Sequence, residues 1–271
     1  MKSTVRDIST VFSDVMVSEY CHVRQSYSAP LRQIYMNRVG LFCIRRGRKA
    51  AAVDGSTFIA GPGAVIVLSA GCFADVTNLS DPDGVYEADA FFVGSPIVAS
   101  TLPGTPGARF GCFSPSAGFE HSLSAAREAL RAGEAIPSRI VDHRVAELLV
   151  WAHAFGLTPT ASDHDSPAIR LRHLICADPG RAWRIGDLAS DLGMSESTLR
   201  RHLAAEGTSA TDIIADVRLS RALAQLQSTN LPITQIAFDA GYQSPSRFSA
   251  RFRARFGCSP GKIRGRRSKD D

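Results

Sequence analysis

AGYQSPSRFSARFRARFG, residues 240–257, carries Phe248, Phe252 and Phe256 at a spacing of four. Between and before them stand Arg247, Arg251, Arg253 and Arg255. The spacing predicts a helix with one apolar stripe and an arginine-rich opposite face. Gly241 can take the left-handed conformation that ends a preceding helix sharply. Ser244 can cap the next helix, and Pro245 suits its first turn.

Widened to ITQIAFDAGYQSPSRFSARFRARFG (233–257), the stretch has an earlier counterpart, IGDLASDLGMSESTLRRHLAAEG (185–207). Ile185, Leu188, Ala189 and Gly193 match Ile233, Ile236, Ala237 and Gly241 at a constant offset of 48. After the turn, Leu199 and Leu203 match Phe248 and Phe252 at 49, and Gly207 matches Gly257 at 50. Each unit is a short helix, a glycine turn, and a second helix with an i, i+4 apolar face. The small Ala189 or Ala237 lets the two helices approach closely, and Ser195 plays the capping part of Ser244. This is what a helix-turn-helix requires: the apolar face seats the second helix, and its outer face is free to enter a major groove. One helix-glycine-helix corner says little, because such corners occur in many helical cores. Two copies with arginine on the outer face say much more. The stretch between them, Ala210–Ser228, reads as a helix of roughly 18 residues, about 27 Å long. It could hold two recognition helices near one DNA turn apart, about 34 Å.

Charge points the same way. The 271-residue chain has a net charge of +5. Residues 1–165 hold 14 Lys and Arg against 16 Asp and Glu, whereas residues 166–271 hold 17 against 10. The basic part is the one that would meet a polyanion. No run of about 18 apolar residues suggests a spanning helix, and MKSTVRDISTVF lacks the apolar core of a signal peptide. Six scattered cysteines without a C-x-x-C pair fit a reducing cytoplasm better than a disulfide framework.

The first part of the chain differs in period. Residues 39–44, 49–53, 64–69 and 86–93 are short and apolar or alternating, separated by turn signals such as Asp54-Gly55. They predict a barrel or sandwich. From about residue 120 the period becomes helical. Ser122 is expected to cap one helix that stops at Gly133, and a second follows Ser138 with Val141, Val145, Leu148, Leu149, Ala152 and Phe155 in register, ended by Gly156. GLTPTASDHDSP, residues 156–167, reads as a linker. The division expected is a regulatory domain over 1–157, a linker over 158–167 and a helical domain over 168–271.

Residues 168–266 strongly resemble the AraC/XylS family of bacterial transcriptional regulators. The resemblance rests on WRIGDLASDLGMSESTLRRHLAAEGTSA (183–210) and on IADVRLSRALAQLQSTNLPITQIAFDAGYQSPSRFSARFRARFGCSPGKIR (214–264), whose second half is very close to the family signature. The N-terminal part resembles the family in style, with a cupin-like β-barrel followed by two helices. The implied fold is α+β: that barrel and helices, then an all-α domain with two helix-turn-helix motifs. The implied function is a DNA-binding transcription factor, more often an activator, with promoter DNA and RNA polymerase as partners. Mapped onto this chain, base-reading positions of the first motif are Ser197, Arg200 and Arg201, with Glu196 and Thr198 near the helix start. In the second they are Ser246, Arg247, Ser249 and Ala250. Many relatives carry a long polar or basic residue where Ala250 stands. Arg251, Arg253, Arg255, Lys262 and Arg264 are the phosphate candidates. A protein without DNA function, whose basic helical surface binds an acidic partner, is the alternative.

Three readings of the first domain stay open. It could be a sensing barrel with an apolar pocket formed by Phe42, Ile44, Val65, Val67, Phe91 and Val93. A carboxylate or fatty-acid effector would then meet Arg32, Arg45, Arg46, Arg48 or Lys49, although RRGRK (45–49) also reads as a solvated hairpin. It could be a dimerisation module, if the apolar stripe of helix 138–155 pairs with its twin rather than with its own barrel. A metal-dependent cupin enzyme is disfavoured, since His22 is the one histidine before residue 121 and no H-x-H lies in the barrel region. No cofactor or metal is expected.

Overall fold

The computed structural model describes residues 18–161 and 166–264. The N-terminal stretch MKSTVRDISTVF, read as lacking a signal peptide, and residues 162–165 of the expected linker lie outside the described residues. Among the described residues the chain forms two compact units: a sheet-rich one up to residue 161, with which residues 262–264 group, and a helical one over residues 166–261.

Among the described residues the sheet-rich unit holds nine strands: β1 (Glu19–Gln25), β2 (Ala29–Tyr35), β3 (Val39–Arg46), β4 (Arg48–Val53), β5 (Ser56–Ala60), β6 (Val65–Leu68), β7 (Phe73–Leu79), β8 (Tyr86–Val93) and β9 (Phe110–Phe113). They form two antiparallel sheets, ordered β1-β8-β3-β6-β9 and β2-β7-β4-β5, which face each other as an open barrel rather than a closed one. Among the described residues three α-helices accompany them: α1 (Ser95–Thr101), α2 (Ala117–Ala132) and α3 (Ser138–Ala154). The Asp54-Gly55 turn joins β4 to β5 with both residues at positive φ, as a tight hairpin requires.

RRGRK is a corner, not a hairpin. β3 pairs with β6 and β8, β4 pairs with β5 and β7, and Gly47 carries the chain from one sheet to the other at φ 72°. A Cβ there would lie 2.3 Å from the Leu79 carbonyl oxygen, so only glycine fits.

The residues read as one apolar pocket divide between two cores. Alternation along the strands sends Val65, Val67, Phe91 and Val93 to the layer packed under α2 and α3, while Phe42 and Ile44 face the space between the sheets. Val145, Leu148, Leu149 and Ala152 of α3 are buried in the first of these cores, with Val141 and Phe155 beside them. The stripe proposed for pairing with a twin is thus occupied by the protein's own barrel.

α2 starts a turn and more before the expected cap. Ser116 is the N-cap, accepting from the Phe119 amide, and Ser122 is buried in mid-helix. The Ser122 hydroxyl meets the Gly118 carbonyl, Glu147 and the Trp151 indole N–H, joining α2 to α3. The segment read as a linker begins as fixed structure. The Thr158 amide donates to the Ala108 carbonyl at 2.7 Å, and the Thr160 amide to Ser69 Oγ at 3.0 Å.

The helical unit holds α4 (Pro167–Ala177), α5 (Ile185–Asp191), α6 (Glu196–Ala205), α7 (Ala210–Ser228), α8 (Ile233–Asp239) and α9 (Pro245–Phe256), with α10 (Pro260–Arg264) after them. Ser166 caps α4 and Ser209 caps α7. Leu171, Ile175, Leu188, Leu199, Leu203 and Ile213 form the buried core of its first half.

Candidate nucleic-acid interface

Two helix pairs, α5–α6 and α8–α9, repeat one backbone design. Gly193 and Gly241 stand at φ 70° and 76°. The Gly193 amide donates to the Ser190 carbonyl and that of Met194 to Ala189; the Gly241 and Tyr242 amides do the same to Phe238 and Ala237. These bonds satisfy the carbonyls left open where the first helix of each pair stops. Ser195 then caps α6 through the Thr198 amide, and Ser244 caps α9 through the Arg247 amide. Ala189 and Ala237 are buried at the crossing of each pair. Leu199 and Leu203, and Phe248, Phe252 and Phe256, are buried to 3% exposure or less. The Phe248 and Phe252 rings, and the Phe252 and Phe256 rings, pack at tilted to edge-on angles with centroids 5.5 and 4.7 Å apart.

The buried stripes settle which faces are free. On α6, Glu196, Ser197, Arg200 and Arg201 are exposed, and Thr198 is half-buried. Ser197 and Thr198 both place their hydroxyls within 3.0 Å of Ser195 Oγ, as part of the cap. Arg200 lies 3.3 Å from Glu196 in an exposed i, i+4 pair, which leaves Arg201 the less committed cation of the two. On α9, Ser246, Arg247, Ala250, Arg251 and Arg253 are exposed and Ser249 is half-buried.

Arg255 stands apart from the other arginines of α9. Its Nε lies 2.8 Å from Asp216 Oδ1, and its side chain is 22% exposed. Asp216 Oδ2 in turn takes Arg172 Nη1 at 2.6 Å. The guanidinium read as a phosphate contact is therefore held by a carboxylate inside the domain. Lys262 is exposed and Arg264 half-buried.

A helix-turn-helix domain model matches residues 188–266. Over 103 residues the chain is 34% identical to the urease operon transcriptional activator of Escherichia coli, covering 38% of this chain and 35% of that protein. Over 91 residues it is 33% identical to the DNA-binding dual transcriptional regulator Rns of Escherichia coli, 34% of each. The helical part is therefore a helix-turn-helix domain of the AraC/XylS type. The chain spans about a third of the length of these two relatives. Among solved structures it resembles ToxT of Vibrio cholerae bound to an unsaturated fatty acid, with a TM-score of 0.61, 14% identity, and 91% of this chain and 93% of that one covered. ToxT bound to (E)-4-(8-methylnaphthalen-1-yl)but-3-enoic acid gives the same TM-score at 15% identity, over 90% of this chain and 96% of that one. At such identity the likeness is one of fold: a sheet-rich N-terminal domain followed by a helical one.

A second polar site lies inside the sheet-rich unit. Of the basic residues at the β3–β4 corner, Arg45 is bound by Asp89 at 2.8 Å and Arg46 by Asp81 and Asp83. Arg48 and Arg32 are exposed. Lys49 points inward and is 4% exposed, on the same face of β4 as Ala51 and Val53. Its ammonium donates to Asn78 Oδ1 at 2.9 Å and lies 4.5 Å from the Phe42 ring centroid and 5.6 Å from that of Tyr86. Asn78 passes the chain on to Gln25 at 3.0 Å. Among the described residues no carboxylate pairs with Lys49, and the buried Tyr86 hydroxyl has no hydrogen-bond partner. Burial pushes the Lys49 ammonium down to about 7. The inward face was readable from KAAAV, residues 49–53, since period-two alternation groups Lys49 with Ala51 and Val53.

Proposed function

We propose that the chain is a sequence-specific DNA-binding transcriptional regulator that reads two successive major-groove segments with α6 and α9. The observation that carries this is the duplicated pair of second helices, each seated by a fully buried apolar stripe with arginines on its free face. Arg201 and Arg247 are the base-reading candidates with the clearest exposure. An arginine can hold guanine O6 and N7 with two bonds. Glu196, Ser197, Thr198, Arg200, Ser246, Ser249 and Ala250 complete the base-facing set. Arg251, Arg253 and Lys262 would grip phosphate. An activator role carries RNA polymerase as a partner. The test is salt-dependent binding to a promoter fragment that random DNA competes poorly. Binding to acidic protein with no preference among DNA sequences would favour the alternative partner class.

A second reading concerns the sheet-rich unit, where the observation is an unpaired buried lysine. A lone ammonium in an apolar interior is costly unless an anion or further hydrogen bonds compensate it. Lys49 and the free Tyr86 hydroxyl suit the carboxylate of an otherwise apolar effector, the ligand type named for the Vibrio cholerae neighbour. An unsaturated fatty acid is expected to raise the melting temperature of the wild-type chain and to leave that of Lys49→Met unchanged. Equal shifts for both would exclude Lys49 as the anchor.

A further inference from the structure

The two recognition helices can act as one reader only if their separation is held. α7 spans 19 residues, about 28 Å, and its two ends carry the two motifs. A helix of that length sets a distance but not, by itself, the rotation of each motif about it. Two side chains on α7, two positions apart, supply what the helix alone does not.

Asp216 uses one oxygen for each motif's half of the domain. Oδ2 accepts from Arg172 of α4 at 2.6 Å, and Oδ1 accepts from Arg255 of the recognition helix α9 at 2.8 Å. All three groups are largely shielded, at 11–22% side-chain exposure, where such pairs are screened less than surface ones. Arg218 repeats the arrangement with backbone. Its Nε and Nη2 donate to the carbonyls of Pro179 and Arg181, in the loop that leads into α5, at 2.8 and 2.9 Å. Nη1 reaches the carbonyl of Gly241, the turn of the second motif, at 3.5 Å. The guanidinium sits so close to that turn that a Cβ on Gly241 would lie 2.8 Å from its central carbon.

We propose that Asp216 and Arg218 are positioning residues that lock α6 and α9 into one fixed spacing and phase, so that the domain reads a two-segment site of fixed length. This rests on the DNA-reading function proposed above. Neither side chain need touch DNA. Their effect is on the gain from binding both segments at once, which is lost when geometry forbids simultaneous engagement.

The experiment uses the full chain and the duplex that the wild type enriches from a random-sequence pool. Four derivatives of that duplex are needed: each segment scrambled in turn, and one or two base pairs inserted between the segments. For the wild type, the complete site should bind at least about 100-fold more tightly than either single segment, and insertion should abolish most of that gain. For Asp216→Asn and Arg218→Gln, single-segment binding should stay within about twofold of wild type, which also reports that each motif is folded. The gain from the complete site should fall at least about tenfold, with a smaller penalty for insertion. Asp216→Glu should recover part of it. The proposal is overturned if both variants keep the full gain and the wild-type insertion penalty, or if single-segment and complete-site binding fall equally. A selected site with one segment also overturns it while leaving DNA reading intact. Failure to enrich any sequence would sink the DNA-reading function itself.

Discussion

Arg253 and Arg255 are two residues apart on one helix and stand in different surroundings. Arg253 is exposed, whereas Arg255 is bound to Asp216. Arg253→Ala should therefore weaken DNA binding about equally across sequences and make the salt dependence shallower by about one unit of slope. Arg255→Ala should instead lower the melting temperature. Arg201→Ala and Arg247→Ala should each cost about 1–3 kcal/mol and relax preference at one base pair. The i, i+4 count exposed the phenylalanine stripe but could not separate these arginines. The partner that sets Arg255 apart lies in α7, 39 positions away, and no local period encodes that distance. Lys49 is the converse case. Its direction was written in the strand alternation, but the RRGRK run drew it into a solvated-hairpin reading. Its pH behaviour follows from burial. With the folded value near 7 and the ordinary value at 10.5, the unfolded chain binds more protons between them, so stability should rise as pH goes from about 7 to about 10.5. Lys49→Met should flatten that rise and raise the melting temperature at pH 6; an unchanged profile would show that Lys49 is not buried as a lone cation.

At the scale of elements, the turns carry the most information. Ser244→Ala should cost about 1 kcal/mol, because the Arg247 amide loses its acceptor. Phe252→Ala should cost about 3–5 kcal/mol, because a fully buried ring leaves a cavity between its two neighbours. Denaturant unfolding of the full chain reads both. α5 through α9 were legible because each signal is local: a cap, a glycine, an apolar spacing. The change of offset from 48 to 49 between the two motifs falls in the turns, where the second motif has one more residue between its glycine and its Ser244 cap. The sheet-rich unit was less legible. Strands β1, β2, β5 and β7 mix polar and apolar residues, β9 is only four residues long, and several partners are far off in sequence: β1 pairs with β8 and β2 with β7. Ser122 was misplaced for a related reason. A serine before an apolar run looks like a cap, but here Glu147 and Trp151, from another helix, make it a buried hydrogen-bonding post.

For the whole molecule, the division of charge matches the division of fold. The helical part carries the positive excess, and the sheet-rich part, slightly acidic overall, keeps most of its cations paired or covered. Among the described residues no helix is long and apolar enough to cross a membrane. The central claim is that α6 and α9 read two successive major-groove segments. The most direct measurement is a base-contact interference footprint of the wild-type chain and of Arg201→Ala and Arg247→Ala, on a duplex selected by the wild type at physiological salt. The prediction is two contacted segments on one face of the duplex, about one turn apart, with each variant losing contacts in a different segment. Weak, even contact along the duplex, unchanged in both variants, would contradict it.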